Sequence, residues 1–258
     1  NQQLTSIQHM DYQGMRSQVI DITYDAEQEN GYLNTIDRIC EEATEAIAEG
    51  FSFIILSDRF TSQSHIPLSA LIACGAVHHH LVRNEQRTQI GIIVETGEAR
   101  EVHHHCLLAG YGADAINPYL AFEALWQANK EKLLGEMYSS EDALVAGYKK
   151  GIAKGMLKVM AKMGISTLQS YKGAQIFEAV GLAGEIIDKC FCGTASRVQG
   201  VNFDVLIDES HRRHTIGYPA KEGDVISVLN NPGDFHWRSG GDLHMWNPDT
   251  IFNLQIAA

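Results

Sequence analysis

Residues able to do chemistry gather where apolar runs end. Asp58 and Arg59 follow the run 51–56 (FSFIIL), Glu95 and Thr96 follow 89–94 (QIGIIV), and Asn117 follows 113–116. Ser170, Tyr171 and Lys172 follow 165–168. If those runs are parallel strands, these side chains form a rim at the strand carboxyl ends, where ligands sit in such folds. Carrying charges of both signs, the rim suits a small-molecule site. The same residues suit a self-satisfied network that pins loops, with Arg59 against Asp58 or Glu95 and Asn117 capping a helix at Pro118. The second reading is favoured. No catalytic, cofactor-binding or metal-binding residue is therefore assigned, and Asp58, Arg59, Glu95, Asn117, Ser170 and Lys172 stand as a candidate polar rim.

Two histidine triplets, His78–His80 and His103–His105, invite a metal reading. Consecutive helical residues point about 100° apart, so a triplet does not converge on one ion. One buried, hydrogen-bonded imidazole per helix is the simpler account. Asp188 and Cys190, with His211 and His214 downstream, mimic a nucleophile and base only by proximity in sequence. The stretch HWRSGGD (236–242) places His236, Trp237 and Arg238 beside paired glycines. Arg238 could hold an anion there, but an interdomain contact is preferred. Neither GxGxxG nor GxxxxGK[ST] occurs, and a GxSxG elbow is also missing.

These residues need a scaffold, and the apolar patterning supplies one. Strands are expected at 19–24, 51–57, 90–95, 113–117 and 165–168. Helices are expected at 34–49 (stopped by Gly50), from Pro67 to about 83, at 99–108, 118–134, 141–163 and 174–180. The βα alternation implies a parallel sheet, open or curved into a barrel or partial barrel. Within 141–163, Gly147, Gly151 and Gly155 share one helix face. Each costs roughly 1 kcal/mol relative to alanine, so the face is expected to pack closely against another backbone. From residue 200 the pattern changes: 201–213 reads as helix, and the chain beyond it is irregular and glycine-rich. The expected division is a linker at 1–17, an α/β domain at 18–195 and a connector at 196–258.

The chain has 258 residues, 45% of them hydrophobic and 20% charged, enough to bury a full core. A net charge of -12 argues against nucleic-acid or anionic-membrane partners. No stretch reaches the roughly 18 apolar residues of a membrane span, and no signal peptide is evident. The five cysteines, irregularly spaced, fit reduced thiols in a cytoplasmic protein. Asn1 and the final LQIAA read as cuts from something longer.

A series of segments carries a family resemblance. They are ILSDR (55–59), AVHHHL (76–81), VETGEAREVHH (94–104), GYGADAINPYLAFE (110–123), KMGISTLQSYKGAQIFEA (162–179) and HWRSGGD (236–242). In this order they resemble the central region of the glutamate synthase large subunit, and the wording at 95–104 is closer to the NADPH-dependent type. The resemblance covers most of residues 18–246. It departs after Arg59, where FTSQSHIPLSALIA (60–73) replaces the family's usual glycine and IPSLLA stretch. It implies a segment between a glutaminase domain and an FMN-binding synthase domain, with the catalytic cysteine, the FMN site and the 3Fe–4S cysteines elsewhere in the parent. The parent would use glutamine and 2-oxoglutarate, with NADPH as electron source through a small flavoprotein subunit. The segment itself would be an inactive structural spacer without cofactors. The rival expectation is a self-contained small-molecule-binding module or enzyme with its site at the strand ends.

Overall fold

A computed structural model describes residues 2–134, 140–219 and 237–258. Helix α1 (Gln2–Gln8) and a short strand β1 (Asp11–Tyr12) lead into β2 (Met15–Asp21) and β3 (Thr23–Asp25). Then come α2 (Gly31–Ala48), β4 (Phe53–Ser57), β5 (His65–Pro67), α3 (Ala70–Arg83), β6 (Gly91–Glu95), α4 (Val102–Gly110) and β7 (Ala115–Asn117). The main sheet has the order β1-β2-β4-β6-β7. Its neighbours from β2 to β7 pair in parallel, and β1 adds an antiparallel edge. The α/β class with parallel strands is as the patterning implies, and among the described residues the sheet is open.

Strand period decides which face each residue serves. Ile54 and Leu56 of β4, with Ile92 and Val94 of β6, join the main core, while Ile55 and Ile93 between them meet Leu4 of α1. Both faces are thus covered, as a parallel sheet requires. On the main face α2 buries Ile36, Ile39, Cys40, Ala43 and Ala46 at helical spacing. Gly50 takes φ +77 just beyond its end, a left-handed stop that an L side chain resists.

Several boundaries differ from expectation for local reasons. Pro67 ends β5 by pairing with Thr23 and does not open a helix. Helix α3 starts at Ala70, whose N–H donates to the Glu98 carboxylate at 2.7 Å. Helix α4 starts at Val102, later than residue 99, because Glu101 and His104 form a reciprocal capping box.

Beyond β7 run α5 (Tyr119–Lys130) and α6 (Glu141–Met163). Ser140 caps α6 at Ala143 N, and Gly164 closes it at φ +70. The glycine face of α6 is not uniformly close-packed. A Cβ on Gly155 would lie 2.4 Å from Val102, whereas one on Gly151 would meet nothing within 4 Å.

The expected strand 165–168 and helix 174–180 are not present. Thr167 Oγ1 accepts from Ser170 N and winds the chain into α7 (Leu168–Tyr171). Residues 178–182 form a strand, β8 (Glu178–Leu182). It continues through α8 (Gly184–Cys190) to β9 (Ala195–Val201), and β8 and β9 make a separate two-stranded parallel sheet. Helix α9 (Phe203–Gly217) follows, capped by Asn202, so Val201 belongs to the strand and not to the helix. The chain forms two compact units, 1–218 and 219–258. The second contains α10 (Pro248–Ala257), capped by Asn247.

Candidate functional site

The carboxyl ends of β4, β6 and β7 bring four of the six rim residues together. The backbone sets the frame: Asp58 N–H donates to Glu95 O, and Thr96 N–H donates to Asn117 O. Within it, Glu95 accepts from Ser57 Oγ at 2.7 Å and from Arg59 Nε at 3.1 Å. Arg59 also donates to Glu123 at 3.2 Å and lies 3.6 Å from the centroid of the Tyr119 ring. Asp58 Oδ2 accepts from Thr96 Oγ1 at 2.7 Å and Gly97 N at 2.9 Å.

Asp58 and Glu95 are both buried, at 5% relative exposure each. Burial pushes the Asp58 carboxyl above its usual range, Thr96, Tyr119 and Gly97 oppose that rise, and the Glu95 charge adds to it. The Tyr119 phenol is pushed up by burial first and then by Asp58. Asp58 Oδ1 and Asn117 Oδ1 are buried without a hydrogen-bond partner. Asn117 therefore does not cap α5, whose N-cap is Pro118. Another strand-end carboxylate, Glu98, accepts from Ser69 Oγ and Ala70 N, and so fills the amino terminus of α3.

Ser170 and Lys172 are not part of this rim, because the strand that was to carry them is absent. Ser170 pairs with Thr167, and Lys172 forms an ion pair with Asp114. Asp114 precedes β7, so Lys172 sits at the opposite, amino end of the sheet. A second network operates there. Arg87 donates to His78 Nδ1 (3.0 Å), Ile90 O (2.7 Å), Gly112 O (2.7 Å) and Asp114 (2.8 Å). Asp114 also accepts from Ile92 N at 2.8 Å. Burial alone would raise the Asp114 carboxyl, but the bonds from Lys172, Ile92 N and Arg87 hold it below its ordinary range. Burial, reinforced by Arg87, lowers His78 to about 4. A recess of about 670 Å³ borders this end.

Sequence reasoning missed Tyr119 and Glu123 at one end and Arg87 and Asp114 at the other. Tyr119 and Glu123 are four apart on the helix after Asn117, so they share a face, and that spacing was a usable signal. Arg87 and Asp114 each stand just before an apolar run, but nothing in the sequence pairs them.

The histidines disperse. His80 faces Thr44, His104 caps α4, and His105 bonds its own turn at Glu101 O. Among the described residues no group of three or more His, Cys, Asp or Glu side chains could hold a metal ion. Cys190 is buried, while His211 packs on Tyr24 and His214 bonds Ser62 O, so no nucleophile–base pair is assembled. His236 lies outside the described residues. Trp237 and Arg238 belong to the unit 219–258, where Gly241 N donates to Arg238 O.

The family described as "Glutamate synthase central domain" matches residues 1–183. The chain is 49% identical to the glutamate synthase [NADH] of Saccharomyces cerevisiae over 243 residues, 92% of this chain and 11% of that one. It is 43% identical to the glutamate synthase [NADPH] large chain of Bacillus subtilis over 257 residues, 100% of this chain and 16% of that one. A ferredoxin-dependent glutamate synthase of Pyropia yezoensis is 39% identical over 84% of this chain and 15% of its own. The chain thus spans between 11% and 16% of the length of these relatives.

Proposed function

Because this chain belongs to the glutamate synthase central-domain family, we propose that it is the central segment of a glutamate synthase large subunit. In that reading it is a rigid spacer and wall between a glutaminase domain and an FMN-binding synthase domain of the same polypeptide. The parent enzyme hydrolyses glutamine, carries the ammonia internally and combines it reductively with 2-oxoglutarate to give glutamate. Ammonia released to water near neutral pH is protonated and lost as a nucleophile, so the path between the two reactions has to exclude water. A packed α/β module serves that purpose.

One observation carries the spacer reading. Arg59, the cation of the strand-end rim, is held by Glu95, Glu123 and the Tyr119 ring. The rim charges are spent on one another across three βα units, which favours architecture over a small-molecule site of the segment's own. The residues also do not fit the parent's cofactors. A 3Fe–4S cluster takes thiolates, whereas burial pushes Cys40, Cys74 and Cys190 up to about 12. A flavin phosphate seeks a helix amino terminus, and that of α3 is filled by Glu98. On this reading both cofactors belong to other parts of the parent. NADPH, delivered through a small flavoprotein subunit, is the proposed electron source, and the compartment is the cytoplasm. No helix among the described residues is long and apolar enough to cross a membrane.

The test is Glu95→Gln in the intact enzyme. Glutamine hydrolysis and the ammonia-dependent synthase reaction should each persist when measured separately. Their coupling should fall, seen as glutamine hydrolysed without matching glutamate. Complete loss of the ammonia-dependent reaction in a folded, FMN-loaded variant would place Glu95 in the chemistry and end the spacer reading.

A further inference from the structure

The strand pair β8–β9 stands apart from the main sheet and, among the described residues of the unit 1–218, is covered on one side only. Ala179 and Leu182 turn inward to the main core. Val180 and Val198, directly paired across the ladder, turn outward at 78% and 60% exposure. Helix α8, which joins the two strands, cannot cover that outer face. Its Ile186, Ile187 and Cys190 are buried in the same inner core.

This arrangement is incomplete by the ordinary rules of sheets. Parallel strands occur almost only with both faces covered, and a two-stranded pair is marginal unless something packs on it. Residues 197–200 of β9 are all exposed, and no third strand joins the pair among the described residues. The family match ends at residue 183, directly after β8, while similarity to the Bacillus subtilis relative spans the whole chain. The ladder therefore straddles the end of the family domain and links it to what comes next. The relatives carry more than five-sixths of their length outside the region matched.

We propose that the outer face of β8–β9 is a docking surface for another segment of the same parent polypeptide, outside these 258 residues. That segment places apolar side chains over Val180 and Val198. The Glu178–Arg197 ion pair beside them forms the polar border of the contact. The inference rests on the reading of this chain as part of a larger polypeptide.

The experiment uses the full-length enzyme with a photoreactive benzoylphenylalanine in place of Val198. Irradiation should give a cross-link within one polypeptide, to a peptide outside the 258 residues. A cross-link to a second copy, to residues within the 258, or to nothing overturns the proposal. Hydrogen exchange of Val198→Lys in the full-length enzyme gives a second readout. Amides of 195–201 should exchange at least about tenfold faster than in the wild type, and unchanged exchange also overturns it. The mass of the native polypeptide tests the premise separately. A native chain no longer than this one would remove the parent reading itself, whatever the cross-link shows.

Discussion

The two ends of the main sheet carry similar residue types and use them differently. At the amino end, Arg87 reaches four acceptors, Asp114 three donors, and both side chains are largely covered, at 16% and 28% exposure. At the carboxyl end the guanidinium is half-open at 35%, and two buried oxygens, on Asp58 and Asn117, have no partner. The closed network is a finished piece of folding. The open one spends its charges on one another but leaves those two buried oxygens over.

The largest contrast should come from the same substitution at each end. Arg87→Ala removes the donors that bind His78, Ile90 O, Gly112 O and Asp114 together. Breaking a buried charge network from one side costs roughly 3–5 kcal/mol. Arg59→Ala, at a half-open site, should cost about 1 kcal/mol. Urea unfolding of both variants measures the gap. Equal losses would mean that the carboxyl-end network is as structural as the amino-end one.

A middle-sized effect tests what holds the carboxyl-end loops in place. Helix α6 braces the start of α4: Val102 sits over Gly155, and Tyr148 Oη donates to Arg100 O. Gly155→Ala should therefore destabilise by roughly 1–3 kcal/mol through overpacking. Gly151→Ala, one turn earlier in open space, should stabilise by up to about 1 kcal/mol. Thermal melts of the pair should move in opposite directions. Two losses would mean that this helix tolerates no added methyl group for reasons other than contact with α4.

How much of this is legible in the sequence depends on how local each signal is. Strands β4 and β6 are legible because FIIL and GIIV are short apolar runs bounded by glycine and polar residues. The meeting of Asp58, Glu95 and Asn117 then comes from parallel pairing alone. Residues 165–182 mislead for a physical reason. ISTL has strand composition, but the Thr167 hydroxyl captures Ser170 N and turns the chain. The apolar residues of 174–182 satisfy helical spacing and strand alternation alike, and only the partner strand β9 decides. The Arg87–Asp114 pair lies 27 residues apart, one in a 3-10 turn and the other in a bend, and no periodicity links it.

The smallest effect is the most diagnostic, because its sign differs between the ends. Asp114 has a folded pKa held below its ordinary value. The stability it contributes is present above the unfolded carboxylate range and is lost as pH falls toward the folded value. Asp58 has its pKa raised, by burial first. Its ionised form costs stability, and that cost sets in as pH rises from about 4, the unfolded value, through the raised one. Asp58→Asn keeps an oxygen to accept from Thr96 and Gly97 and removes the charge. At neutral pH the variant should melt at the wild-type temperature or slightly above it. Any advantage should vanish on acidification below about pH 4, where both states of the wild type are protonated. Asp114→Asn should show the reverse, a loss at neutral pH that shrinks in acid. Paired melts across that range decide the matter. If Asp58→Asn were clearly destabilised at neutral pH, the ionised carboxylate would be a structural asset and the contrast between the ends would fail. If stability held but glutamine-to-glutamate coupling fell in the intact enzyme, the Asp58 charge would serve the parent beyond the folding of this segment.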